Sequence, residues 1–113
     1  MVLVIGGIAS GKRTYVRSLG FSDDQMDASI ISDAPVLVGL EGLLRTGDLD
    51  ERQMEAIARK DVVACCEVGM GVVPLDRDER TWRERVGRTC TELAARSERV
   101  IRLVCGIPVT IKG

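Results

Sequence analysis

A chain of 113 residues, 45% hydrophobic and 29% charged, is sized for one core, so residues 1–113 read as a single domain. A formal net charge of −1 gives no electrostatic reason to expect a nucleic-acid partner, and an aromatic content of 3% argues against a base-stacking platform. With no histidine, the commonest neutral-pH base, the usual zinc ligand and a phosphohistidine nucleophile are all excluded.

Val2-Leu3-Val4-Ile5 is short and wholly apolar, the pattern of a parallel strand covered on both faces. It has no basic n-region and runs at once into glycines, so it is not read as a signal peptide. Gly6-Gly7-Ile8-Ala9-Ser10-Gly11-Lys12 follows, then a helix from about Lys12 to Leu19, stopped by Gly20. Residues 21–34 are polar and weakly patterned, with Phe21-Ser22-Asp23-Asp24-Gln25-Met26 composed to cap a short helix. Pro35 to Leu40 reads as a second buried strand with proline first. Asp48 or Asp50 caps a helix running to about Lys60, with Met54, Ile57 and Ala58 on a modest apolar stripe. Val62 to Cys66 is a third strand, ending in Glu67, and Gly69 to Pro74 is a loop with an apolar centre. The longest helix spans about Asp78 to Ser97, with Trp82, Val86, Cys90, Leu93 and Ala94 on one face. A fourth strand, Val100 to Cys105, precedes Gly106, and Pro108 to Ile111 forms a short antiparallel edge.

Apolar strands alternating with amphipathic helices predict an α/β protein, a three-layer P-loop fold with a mostly parallel sheet. Ligands in such sheets sit beyond the carboxyl ends of the strands, the edge that takes Gly6-Gly7, Glu41, Glu67 and Gly106. Cys65, Cys66, Cys90 and Cys105 show no CxxC spacing and read as small hydrophobes of a reducing, cytoplasmic protein. No apolar run approaches the roughly 18 residues of a membrane span, so no membrane partner is expected.

Gly6-x4-Gly11-Lys12, between a strand and a helix, is the spacing of a phosphate-binding loop. Glycines let backbone N–H groups turn inward around phosphate oxygens, and Lys12 reaches the terminal phosphates. The nucleotide-binding set is Gly6, Gly7, Ile8, Ala9, Ser10, Gly11, Lys12, Arg13 and Thr14, and the cofactor is ATP or GTP. A tight turn with an exposed lysine is the alternative. Arg13 occupies the place of a Ser or Thr hydroxyl that completes a magnesium shell, and it offers no acceptor. Thr14 is displaced by roughly 100° around the helix. Arg13 then contacts phosphate itself, or the loop binds without efficient transfer, or the site is inactive. Among strand-end acids, Gly39 stands where the first is needed, with Glu41 two residues on. Glu67 is the better candidate to position nucleotide-borne Mg2+ or take a proton, beside an alternative role in a loop-stabilising ion pair. Lys12 and Glu67 are therefore the candidate catalytic residues.

Cys66-Glu67-Val68-Gly69-Met70-Gly71-Val72-Val73-Pro74 resembles the Asn-Glu-Val-Gly-x-Gly-Ile-Val-Pro signature of the bifunctional adenosylcobinamide kinase/adenosylcobinamide-phosphate guanylyltransferase family of cobalamin biosynthesis. Arg80-x-Trp82-Arg83-Glu84-x2-Gly87-Arg88 is similar to its Arg-x-Phe-Arg-Asp-x2-Gly-Arg, and Gly106-Ile107-Pro108-x2-Ile111-Lys112 to its tail. The resemblance implies a nucleotide-dependent kinase of a small hydroxylated, corrinoid-like substrate and a homo-oligomer, typically a trimer. It also implies missing length between the glycine loop and the third strand. The family's guanylylated histidine has no counterpart here, so guanylyl transfer by that route is not expected. Cys66 replaces the family's asparagine, Cys90-Thr91 its Asn-Gln, Arg13 its metal-binding hydroxyl and Gly39 its aspartate. Three readings stay open: a kinase, a non-catalytic nucleotide or phosphate binder, and a structural relic whose oligomer matters more than its loop.

Overall fold

The computed structural model describes residues 1–68 and 76–113. The apolar N-terminal run forms β1 (Val2–Gly6), flanked on both sides by parallel strands, β4 (Val62–Cys66) and β5 (Arg99–Val104). A central strand buries both faces, and Leu3 and Val4, on opposite sides, are 1% and 0% exposed. The six-stranded sheet is completed by β2 (Met26–Asp27), β3 (Val36–Leu37) and β6 (Ile107–Lys112), in the order β2-β3-β4-β1-β5-β6. Pairing is parallel except between β5 and β6. This is a compact α/β domain with a mixed, mostly parallel sheet.

The sheet divides the core in two. Val63 and Cys65 of β4 join Leu3, Leu37 and Val100 under the helices α2 (Leu40–Leu43), α3 (Glu51–Ala58) and α4 (Arg77–Arg96), whose Leu40, Ile57, Trp82 and Leu93 complete that cluster. Val62 and Ala64, on the alternate face, pack with Val4, Met26, Leu103 and Val16 of α1 (Lys12–Ser18).

Local chemistry sets the boundaries. Asp50, not Asp48, caps α3: its carboxylate accepts from Gln53 N (2.8 Å) while Gln53 Oε1 accepts from Asp50 N (2.9 Å), a capping box. Asp48 pairs instead with Arg85 and Arg88 of α4. Asp76 caps α4 by accepting from Asp78 N (2.8 Å), so that helix starts one residue before the expected Asp78. The strand expected over 35–40 is cut to Val36–Leu37 because Gly39, at φ 72°, turns the chain and Leu40 opens α2. The short helix that the 21–26 stretch is composed to cap is present as a 3-10 turn, Asp23–Gln25, capped by Ser22, whereas β2, which follows it, was not legible because two residues carry no periodicity. The antiparallel edge is present and longer than Pro108–Ile111. Cys105 and Gly106 (φ 52° and 75°) make the two-residue turn that joins β5 to β6, the left-handed pair that hairpins favour. The loop expected over Gly69 to Pro74 lies outside the described residues.

Candidate functional site

β1 delivers the glycine loop to the carboxyl edge of the sheet. Beyond Gly6 the chain bends so that Ser10 N donates to Gly7 O (3.2 Å), and Tyr15 N donates to Gly11 O (2.9 Å) to start α1. Ala9 and Gly11 are left-handed (φ 57° and 90°). The N–H groups of Ile8, Ala9, Gly11 and Lys12 find no acceptor among the described residues. Lys12 folds back over the loop, and its Nζ donates to Gly7 O (2.8 Å) and Gly6 O (3.3 Å) and lies 3.4 Å from Cys66 Sγ. The ammonium thus stands at the end of β1, where β4 also ends.

Gly6 is fixed by crowding. A Cβ there would lie 3.1 Å from Leu103 O and 3.2 Å from Ser10 Cβ, and closer still to Ser10 Oγ, which is buried and has no partner among the described residues. Gly6→Ala is expected to lower stability by about 1–3 kcal/mol, as overpacking does, and to displace Ser10. Chemical denaturation beside a nucleotide titration checks both effects.

A cleft of about 360 Å3 opens beside the loop, lined by Gly7 to Ser10, Glu67 and Arg102 to Cys105. Glu67 N donates to Gly6 O (2.7 Å), which holds this residue against the loop, and its Oε2 accepts from Arg102 Nε (3.0 Å). Both side chains of this pair are partly exposed. The turn at Gly106 packs near Gly11, with the Gly106 Cα 3.6 Å from where a Gly11 Cβ would stand. Gly6, Gly7, Lys12, Glu67 and Gly106 therefore meet at one edge.

Glu41 reaches the same edge, at the end of β4, but its groups are engaged there: its Oε1 accepts from Cys66 N (2.7 Å) and its carbonyl from Trp82 Nε1 (2.8 Å). Arg13 and Thr14 are exposed on α1, and Arg13 Nη1 reaches Met26 Sδ of β2 (4.0 Å). A second hollow, about 310 Å3, runs along Ala9 to Thr14. A larger one, about 470 Å3, lies at the opposite ends of β3 and β4, but the Lys60 ammonium beside it is spent on Ser32 O and Ala34 O (2.5 and 2.7 Å).

Two contacts at this edge were not legible in the sequence: Arg102 as the partner of Glu67, and Cys66 as a contact of Lys12. A charged residue inside the apolar run from Val100 to Val104 was the available signal for Arg102. Among the described residues, no group of three or more His, Cys, Asp or Glu is placed to hold a metal ion, and no helix is long and apolar enough to cross a membrane.

Fold and edge together define a mixed, mostly parallel α/β protein that gathers a glycine loop, a lysine and a carboxylate–guanidinium pair at the carboxyl ends of its central strands. Residues 46–111 match the family described as cobinamide kinase / cobinamide phosphate guanyltransferase, and the chain belongs to that family. The matched span carries Glu67 and Arg102; the glycine loop precedes it. The chain is also 45% identical over 53 residues to the bifunctional adenosylcobalamin biosynthesis protein CobU of Salmonella typhimurium. That alignment takes in 47% of this chain and 29% of the relative, so the similarity covers well under half of the longer protein.

Proposed function

We propose that residues 1–113 act as one P-loop domain that binds ATP or GTP and transfers its terminal phosphoryl group to a hydroxyl of a small, corrinoid-like substrate in cobalamin metabolism. The single observation that carries this reading is Lys12, whose ammonium lies over the Gly6 and Gly7 carbonyls beside loop amides with no acceptor among the described residues. In this reading the loop amides take phosphate oxygens and Lys12 leaves its carbonyls for the terminal phosphates, stabilising charge as transfer proceeds. Glu67, held at the cleft wall by Arg102, orients the acceptor hydroxyl or takes its proton. The donor set fits Mg2+ carried in by the nucleotide rather than resident, because Mg2+ commonly takes one or two carboxylates plus phosphates and waters. Glu67 would be its protein ligand, and the ion would neutralise charge on the phosphate oxygens. With no histidine to carry a guanylyl group, the chain is assigned the kinase half of the chemistry.

Arg13 favours a second reading, a catalytically inactive binder, since no hydroxyl follows Lys12 and the guanidinium lies against Met26. Calorimetric titration with ATP and GTP, with and without Mg2+, beside an assay of nucleoside diphosphate release on a hydroxylated corrinoid, separates the readings. Mg2+-dependent binding with steady turnover supports the kinase. Binding without turnover supports the inactive binder. Absence of binding overturns both.

Self-association is part of the proposal, a trimer by resemblance to the family. Its support is the edge strand β6, where Ile107, Val109 and Ile111 are 64%, 45% and 59% exposed at alternate positions. Isolated edge strands of this kind invite pairing. Val109→Lys is expected to weaken association by about tenfold or more while shifting folding stability by at most about 0.5 kcal/mol. Sedimentation velocity over a concentration series reads the first effect and thermal melting the second.

A further inference from the structure

Two thiols at the contact of β4 with α4 have no part in the phosphate chemistry. Cys65 Sγ lies 3.6 Å from Cys90 Sγ, and both are free. Cys65 is buried in the cluster under α4, whereas Cys90 is half-buried, open enough for a small oxidant. Cys66 points to the other face of the strand, where its sulfur meets Lys12, so alternation leaves Cys90 one thiol of β4 to meet. A disulfide needs its sulfurs at about 2.05 Å, so the pair must close by roughly 1.5 Å.

We propose that Cys65 and Cys90 form a reversible disulfide under peroxide, a redox lock between the end of β4 and α4. The Cys90 sulfur attacks hydrogen peroxide, an S–O bond forms, the O–O bond breaks, and hydroxide leaves as water with the Cys90 proton. The Cys65 sulfur then attacks the resulting sulfenic acid. The S–S bond forms, the S–O bond breaks, and hydroxide leaves as water with the Cys65 proton. Two thiols lose two electrons in all, and one peroxide becomes two waters.

The order of attack has a physical basis. Exposure sets it: Cys90 is half-buried and meets peroxide first, whereas Cys65 is fully buried in the cluster under α4 and reaches only the Cys90 sulfur. Such bonds in reducing compartments are transient and redox-sensing. The lock is adjacent in sequence to Cys66, which contacts Lys12, so it anchors the strand end that supports the loop.

The test treats the whole chain with stoichiometric hydrogen peroxide, counts thiols after denaturation, and maps cross-linked peptides by mass. Two of the four cysteines should disappear, in a peptide pair joined through Cys65 and Cys90, and dithiothreitol should restore them. The oxidised chain should melt about 5 °C or more above the reduced one, as closing a loop predicts. Cys90→Ser should leave Cys65 reduced under the same dose. Oxidation confined to Cys105, a cross-link through another pair, or sulfinic acid on Cys90 without a cross-link overturns the proposal. Mapping on the unsubstituted chain decides the matter even if the Cys90 variant fails to fold.

Discussion

Lys12→Ala is expected to raise the dissociation constant for ATP or GTP by roughly 30- to 150-fold. That corresponds to about 2–3 kcal/mol, the range for one charge-assisted hydrogen bond to an anion. The residue's neighbours make the loss specific. Its Nζ lies 2.8 Å from Gly7 O and 3.3 Å from Gly6 O, so it closes the loop on its own backbone. Removing it leaves Gly6 O still bonded to Glu67 N (2.7 Å), so the folded state should lose only about 1 kcal/mol. Binding and folding therefore separate, and calorimetry beside thermal melting reads each. Lys12→Arg keeps the charge but brings a wider fork, and should recover part of the affinity. Unchanged affinity in Lys12→Ala would place the phosphates elsewhere and overturn this reading of the loop.

How much of this was legible in the sequence depended on range. β1 and β4 were read within a residue because wholly apolar runs announce strands covered on both faces, and α4 because twenty residues hold several turns of amphipathic repeat. The hairpin turn at Cys105 and Gly106 had its glycine as a signal. β2 and β3, two residues each, lie below the length at which periodicity exists, and α2 is a single turn that Gly39 starts by going left-handed. Between Asp48 and Asp50, the choice of cap turned on which acid Arg85 and Arg88 would claim, a contact across the fold. The same limit applies at the site. Lys12 and Glu67 are candidates that local motifs single out, whereas the Arg102 partner of Glu67 and the Cys66 contact of Lys12 come only when strands distant in sequence are set side by side.

Trp82→Ala should produce the largest loss of stability of any single change considered, about 3–5 kcal/mol, the usual cost of emptying a buried aromatic site. Trp82 is 9% exposed within the cluster beneath α4, and the Arg45 guanidinium lies 3.4 Å from its ring centroid. Its Nε1 donates to Glu41 O (2.8 Å), and the Glu41 carboxylate in turn accepts from Cys66 N (2.7 Å). One side chain on α4 thus holds α2 in place, and α2 holds the end of β4 beside Lys12. With total stability of about 5–15 kcal/mol expected for a domain, the alanine variant should melt on the order of 15 °C lower and bind nucleotide weakly while still folded. Trp82→Phe separates the two contributions in part: it keeps most of the packing but loses the N–H and some ring volume, so about 1–3 kcal/mol should go. Circular dichroism must follow both variants, because Trp82 is the chain's single tryptophan. If phenylalanine costs as much as alanine, the bond to Glu41 rather than the filled volume holds this corner together, and Glu41→Gln, which keeps an acceptor oxygen for Cys66 N, should then be nearly silent in the melt.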